Sequence, residues 1–150
     1  MTRSPLVIDA SVGIKWVLHE ADSDKALSLV SERIERIVPD LFFSEIGNVL
    51  WKNIRNGHLS AEEGQQALQR LFRIRLTVAS VSGLMDTALD IAQHYDRSFY
   101  DSAYLALAIH ERAQLVTADL HLINAMKNTP LANTVMSIEV FNLKPRLQPK

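Results

Sequence analysis

Short apolar runs of strand character alternate with longer segments of helical periodicity along this chain. The runs are "LVIDAS", "RIVPD", "LTVASV", "QLVTAD" and "VMSIEVF", and β-branched residues recur in each of them. Between consecutive runs lie segments whose apolar residues return every three or four positions, which is typical of amphipathic helices. Strands that alternate with helices predict a parallel sheet covered on both faces. The sequence therefore predicts an α/β fold, a three-layer sandwich with a mostly parallel sheet of about five strands flanked by helices.

Helices are predicted in the segments between these runs. Two of them have clear boundary signals: one extends from Asp40 to a stop at Asn56-Gly57, and the next begins with the capping-box pair Ser60 and Glu63. The other helices are expected over residues 11–20, 24–36, 86–95, 101–112 and 120–127.

Length and composition restrict the function classes. A chain of 150 residues buries a core of its own, so residues 1–150 are expected to form one domain, with a loose tail from about 142 to 150. The absence of cysteine excludes thiolate chemistry and a disulfide framework, and it agrees with a cytoplasmic location. A formal net charge of -1 provides no broad field for nucleic acid or an anionic membrane. The first apolar run is interrupted by Asp9 and Lys15, so neither a signal peptide nor a membrane span is expected.

Four acidic residues fall just after strands or near the starts of helices. Asp9 and Asp119 end predicted strands, Asp101 opens a predicted helix, and Glu45 lies in the first turns of the helix after "IVPD". Because active sites of open parallel sheets lie at the carboxyl ends of the strands, these acids are expected along one edge. Each also has a structural explanation when taken alone. The aspartates are able to cap helices, and the glutamate is able to lie solvated at the boundary of the core.

Two hydroxyl residues accompany these acids. Ser11 lies two positions after Asp9, and Thr117 lies two positions before Asp119, so each is able to orient a carboxylate or a water molecule. A few carboxylates, several waters and a substrate phosphate are the ligands that Mg²⁺ and Mn²⁺ prefer. Without a metal, such carboxylates repel one another and raise their own pKa values. The pattern indicates phosphoryl chemistry.

The segments that carry these residues resemble the PIN-domain ribonucleases, most closely the VapC-type toxins of bacterial toxin–antitoxin pairs. The matching segments are "VIDASVGIKWVLHE", "LFFSEIGNVLWK", "YDSAYLALA" and "VTADLHL". They span nearly the whole chain, and their order and spacing make the combination specific. The resemblance implies a PIN-like sandwich. It places the family's acids and accompanying hydroxyls at Asp9, Ser11, Glu45, Asp101, Thr117 and Asp119.

The resemblance also implies hydrolysis of RNA phosphodiester bonds with Mg²⁺ or Mn²⁺, leaving a 5′-phosphate and forming no covalent enzyme intermediate. Asp9, Asp101 and Asp119 are the expected metal ligands. Glu45 binds the metal directly or through water, two roles between which the sequence does not decide. The residues after Asp119 lack a further acid found in some relatives, which favours one metal site over two.

RNA must be held by local cations, because the net charge is near zero. Lys15 and Lys52 are the first candidates, since they lie nearest to the acids along the predicted helices. Aromatic rings are able to stack on bases, but burial in the core is the expected use of Trp16, Trp51 and Tyr100. The resemblance further implies a homodimer and a cognate antitoxin that binds it.

Three other functions stay open at this point: a housekeeping PIN-domain nuclease for RNA processing, a phospho-receiver signalling domain, and a PIN-like scaffold that only binds. A receiver needs an acid pair after the first strand and an aspartate after the third. Asp9 stands alone, and "TVASVSG" contains no acid. The complete acid set argues against a silent scaffold. The histidines lack metal-ligand spacing, and neither a glycine-rich phosphate loop nor a G-x-S-x-G elbow is present.

Overall fold

The computed structural model describes residues 4–31 and 33–141, which form five strands and seven α-helices. The strands are β1 (Leu6–Ile8), β2 (Arg36–Pro39), β3 (Thr77–Ala79), β4 (Gln114–Thr117) and β5 (Val135–Ser137). The helices are α1 (Ala10–Gly13), α2 (Ser23–Ser31), α3 (Leu41–Arg55), α4 (Ala61–Phe72), α5 (Met85–Tyr95), α6 (Phe99–His110) and α7 (Leu120–Met126). Across those described residues, every helix is too short or too polar to cross a membrane.

The five strands form one parallel sheet in the order β3-β2-β1-β4-β5. The predicted α/β sandwich with a parallel sheet of five strands is thereby confirmed. β1 lies at the centre and is buried along its whole length. The chain moves outward from β1 to β3 and then crosses back to β4 on the other side of β1. The topological switch point therefore lies between β1 and β4, where sheets of this kind place their ligand sites.

Helix α6, which precedes β4 in the chain, is buried over most of its length. Its residues 102–108 are all buried, and small alanines alternate there with larger apolar side chains. A helix that is apolar on every side is covered on every side. Because α6 returns the chain from one side of the sheet to β4, its first turn lies at the carboxyl edge of the strands. Asp101 belongs to that first turn.

Three predicted elements are shorter in the structure. The helix predicted over residues 11–20 is α1 followed by a 3₁₀ turn, Ile14–Trp16, because the Trp16 indole N–H donates to the carbonyl of Ala26 in α2 (2.8 Å). The helix predicted over 24–36 ends at Ser31. Arg36 instead begins β2, and its buried guanidinium donates to the carbonyls of Leu29 and Ile34, which closes the connection.

The last predicted strand, over residues 135–141, ends at Ser137. The Ser137 hydroxyl accepts from the backbone N–H of Glu139 and so caps a 3₁₀ turn, Ile138–Val140. The capping box predicted at Ser60 and Glu63 is present at the start of α4. The tail predicted over residues 142–150 lies outside the described residues.

Gly13 allows α1 to pack directly on α3, and this yields a first prediction. A Cβ at this position would lie 2.5 Å from Cε2 and Cζ of Phe42, whose ring is fully buried. We expect Gly13→Ala to lower the free energy of unfolding by about 1–3 kcal/mol through overpacking. Urea unfolding measures this value.

Gly47→Ala is the matched control, because a Cβ at residue 47 of α3 would meet nothing within 4 Å. This change should raise helix stability by roughly 0.5–1 kcal/mol. Equal effects of the two substitutions would show that residue 13 is not constrained by the α1–α3 contact.

Candidate active site

Asp9 is placed by β1 at the carboxyl edge of the sheet, where α1 begins. Its backbone carbonyl accepts the first N–H groups of α1, but its side chain caps nothing. Oδ2 of Asp9 instead accepts hydrogen bonds from Ser11 Oγ and Thr117 Oγ1, both at 2.7 Å. The capping explanation therefore does not hold for this carboxylate.

The hydroxyls of Ser11 and Thr117 have one proton each, and their other hydrogen bonds indicate that both protons are donated to Asp9. Ser11 Oγ accepts from the backbone N–H of Ala118, and Thr117 Oγ1 accepts from that of Asp119, each at 3.0 Å. With their acceptor sites engaged by backbone N–H groups, both hydroxyls are oriented to donate to Asp9. The network thus ties the segment after β1 to the segment after β4.

Asp119 is the N-cap of α7, which agrees with the helix-capping role that the sequence allowed for it. Its Oδ1 accepts from the backbone N–H groups of His121 (2.9 Å) and Leu122 (3.3 Å). Its Oδ2 makes no hydrogen bond with any residue in 4–31 or 33–141. One carboxylate oxygen therefore stabilises the helix while the other stays available to a ligand.

Asp101 does not cap α6, which corrects the prediction that it opens this helix. The N-cap is Ser98, whose hydroxyl accepts from the backbone N–H of Asp101 at 3.1 Å. The Asp101 carboxylate is 3.9 Å from Nε of Arg97, a contact beyond hydrogen-bond length. The Asp101 side chain is therefore half-buried and does not cap the helix.

Glu45 lies half-buried on the inner side of α3. Burial raises its pKa to about 7, and the negative charges of Asp9 and Asp101 add to this effect, while the nearby Tyr104 hydroxyl opposes it. The Tyr104 hydroxyl is itself buried, and within residues 4–31 and 33–141 it forms no hydrogen bond that meets the usual limits of length and angle. Tyr104 was not singled out from the sequence, although its spacing of three from Asp101 places both on one face of α6.

The other two inward carboxylates are perturbed in the same direction. Burial raises the pKa of Asp9 above its ordinary value against the hydrogen bonds from the two hydroxyls, and the charges of Asp101 and Asp119 raise it further. Burial also raises the pKa of Asp101, followed by the charge of Asp119, with Arg97 opposing. The acids are therefore close enough to repel one another, as a shared site requires.

All four acids line one pocket of about 250 Å³. Its complete lining is Asp9, Ala10, Ser11, Ile14, Glu45, Val49, Asp101 and Asp119. A second cavity, of about 430 Å³, shares Glu45 and Asp101 with it. A larger depression of about 590 Å³ lies along α5, but it gathers no comparable set of charged groups, so the acid pocket is the candidate active site.

Carboxylate oxygens are the donors that Mg²⁺ and Mn²⁺ require, so the chemistry of the lining fits such an ion. Among the residues that the structure describes, no three His, Cys, Asp or Glu side chains are already arranged to hold a metal together. Asp9 is held by two hydroxyls, and Asp119 is held by the N-terminus of α7. Joint coordination of a metal would require these side chains to turn toward one another, and a bound cation would offset their mutual repulsion.

The two candidate lysines have different surroundings. Lys15 forms an ion pair with Glu20 at 3.1 Å, and its side chain is largely covered. Lys52 is exposed on α3 and has no ion-pair partner in the described part of the chain. Only the second is free to meet a phosphate without losing an existing partner.

The expectation that three aromatic residues lie in the core is right for Trp16 and wrong for the other two. Trp51 is 51% exposed, with the Arg55 guanidinium 4.5 Å from its ring centroid, and Tyr100 is 65% exposed. Trp51 follows the buried Leu50, so a step of one residue along α3 turns it away from the core. That periodicity could have predicted its exposure.

Comparisons with known proteins agree with this geometry. The family model of the PIN domain matches residues 6–127. Ribonuclease VapC3 of Pyrobaculum aerophilum is 34% identical over 119 residues, which cover 78% of this chain and 91% of that protein.

Two solved structures have the same fold. The crystal structure of PAE2754 from Pyrobaculum aerophilum matches with a TM-score of 0.63 at 23% identity, covering 90% of this chain and 84% of that chain. A chain of a toxin–antitoxin complex from Klebsiella pneumoniae also has a TM-score of 0.63, at 15% identity, covering 89% and 97%. With a family match over most of its length and a relative at 34% identity, the chain belongs to the PIN-domain family, among its VapC-type members.

Proposed function

We propose that this protein is a metal-dependent endoribonuclease that hydrolyses RNA phosphodiester bonds. The observation that carries the proposal is the convergence of four acids on one pocket at the switch point between β1 and β4. A pocket lined by carboxylates repels an RNA phosphate unless a cation lies between them, so the substrate and the metal are proposed together. The relative at 34% identity is named a ribonuclease, which supports the same reaction.

Asp9, Asp101 and Asp119 are the proposed ligands of one Mg²⁺ or Mn²⁺, and Glu45 contacts it directly or through water. Such an ion, when bound, polarises a phosphodiester and activates water. Ser11 and Thr117 keep Oδ2 of Asp9 in place, and Oδ1, which accepts no hydrogen bond from the described residues, would be left to the ion.

Lys52 is the proposed contact for the RNA backbone, because it is exposed on the same helix as Glu45 and is free of an acidic partner in the described chain. Lys15 is the secondary candidate, since binding a phosphate would compete with its ion pair to Glu20.

We further propose that the protein is the toxin of a toxin–antitoxin pair that acts in the cytoplasm as a homodimer and binds a cognate antitoxin. The VapC relatives and the chain from a toxin–antitoxin complex support this assignment. Exposed apolar side chains on α5 and α6, among them Met85, Leu89 and Ile109, supply surface that a protein contact would cover.

The metal requirement gives the second prediction. The purified protein should cleave single-stranded RNA in Mg²⁺ or Mn²⁺ and stop when EDTA is added. Asp101→Asn should reduce the rate by more than about 100-fold, because loss of even an outer-shell partner of a metal typically costs 10–100-fold. Gel assays of a labelled RNA measure both effects.

Asp90→Asn, an exposed acid on α5, is the control and should keep the full rate. Cleavage that survives exhaustive chelation would exclude the metal mechanism, as would a normal rate in Asp101→Asn.

The raised pKa of Glu45 gives the third prediction, for the metal-free protein. Between about pH 4.5, the ordinary pKa, and about pH 7, the folded value, the unfolded chain has lost a proton that the folded chain keeps. The folded state binds more protons in this window, so its stability should fall as pH rises. Asp9 and Asp101 act in the same direction.

Glu45→Gln removes the contribution of Glu45 to this effect, so its free energy of unfolding should fall less than that of the wild type between about pH 5 and pH 8. Urea unfolding in EDTA at both pH values provides the measurement, with the exposed Glu111→Gln as the control. The same pH dependence in wild type and Glu45→Gln would contradict a buried, repelled carboxylate.

The toxin assignment gives the fourth prediction. Expression without a partner should arrest growth, co-expression of the cognate antitoxin should restore it, and Asp101→Asn at equal abundance should be tolerated. Growth curves with matched protein levels measure this. Tolerance of an active wild type would instead indicate a housekeeping RNA-processing nuclease, and equal toxicity of both forms would assign the arrest to something other than cleavage.

A further inference from the structure

The cavity beside the acid pocket is open enough to accept a nucleotide base. It measures about 430 Å³, and its lining consists of Leu41, Ser44, Glu45, Asn48, Tyr100 and Asp101. We call it the Tyr100 cavity. Two of its residues, Glu45 and Asp101, also line the acid pocket, so the two spaces adjoin each other. A strand with one phosphate over the acids therefore brings a neighbouring nucleotide to this cavity.

Tyr100 supplies an aromatic surface at this position. Its side chain is 65% exposed, whereas the preceding Phe99 packs against the core and the following residues 102–108 are buried. An exposed ring on a rigid helix adds little to the stability of the fold. The same ring is a stacking platform for an unpaired base, because every base has a π-face.

Asn48 supplies a hydrogen-bonding group beside that ring. It is exposed on α3, one turn after Glu45, and its amide forms no hydrogen bond with the residues that the structure describes. An asparagine amide offers one acceptor and donors that match N6 and N7 of adenine. The lining contains no arginine or lysine, the side chains that select guanine.

We propose that the Tyr100 cavity is a base-binding subsite in which Tyr100 stacks on an unpaired base next to the scissile phosphate and Asn48 selects adenine. This inference rests on the proposed ribonuclease function, because it takes single-stranded RNA as the ligand of the adjoining pocket. Single-stranded RNA suits such a site, since its bases turn outward and present their edges.

The fifth prediction tests this subsite by binding, with cleavage stopped. Fluorescence anisotropy in Mn²⁺ measures the affinity of labelled oligo-A and oligo-U of equal length for the Asp119→Asn variant. Loss of a proposed metal ligand stops cleavage in this variant, and the changed residue lies outside the Tyr100 cavity. Added Tyr100→Ala should weaken the binding of both oligonucleotides by about 5- to 150-fold, and Tyr100→Phe should retain it. Added Asn48→Ala should reduce the preference for oligo-A by about the same range.

Phe72→Ala and Gln69→Ala on α4 are matched controls, since they remove an exposed ring and an exposed amide that do not belong to this lining. The proposal is overturned if Tyr100→Ala binds like Phe72→Ala, if Asn48→Ala leaves the base preference unchanged, or if the starting protein binds neither oligonucleotide.

Cleavage by the otherwise wild-type protein in Mn²⁺ is measured separately on the same two oligonucleotides. Loss of binding in Tyr100→Ala, with no cleavage by the wild type, would support the base subsite and overturn the nuclease function. Cleavage by the wild type, with unchanged binding in Tyr100→Ala, would support the nuclease function and overturn the base subsite.

Discussion

The Asp9 carboxylate, held by two hydroxyls from neighbouring chain segments, is the interaction on which the candidate site depends. A buried carboxylate is costly unless hydrogen bonds replace its water. Ser11 and Thr117 provide two such bonds, and backbone N–H groups orient both hydroxyls toward the acid. The raised pKa of Asp9 shows that the compensation is incomplete. The ends of β1 and β4 are joined through this group, and the other acids are arranged around it.

The remaining acids arrive on helices whose positions are determined by packing. Glu45 is carried by α3, which α1 approaches closely at Gly13, and Asp101 is carried by the first turn of the buried helix α6. Both elements are held by apolar contacts strong enough to bring like charges together. Keeping like charges together lowers stability, which is the kind of cost that functional sites commonly impose. Two hydroxyls hold one oxygen of Asp9 and the N-terminus of α7 holds one oxygen of Asp119, so the second oxygen of each carboxylate has no hydrogen bond within the described residues.

The surface near these acids contains groups that the fold does not need. Tyr100 exposes about two thirds of its side chain, while Phe99, one residue earlier on the same helix, packs inward. The exposed Tyr100 ring lines a cavity beside the acid pocket, together with the Asn48 amide, which has no hydrogen bond within the described residues. Both groups suit a single-stranded nucleic acid better than they suit the interior. The candidate site thus has one part that suits a cation and a phosphate and another that suits a base.

The sequence by itself determined the class of the fold and the set of acids. Local periodicity encodes strand or helix, and the capping box at Ser60, the α3 helix and the parallel sheet follow from it. Only the tertiary structure decided that β4 lies beside β1, which brings Thr117 to Asp9 across 108 positions. It likewise decided that α1 ends after one turn and that Tyr100 faces solvent. Strand neighbours and covered helix faces depend on long-range packing, which no local pattern of residues specifies.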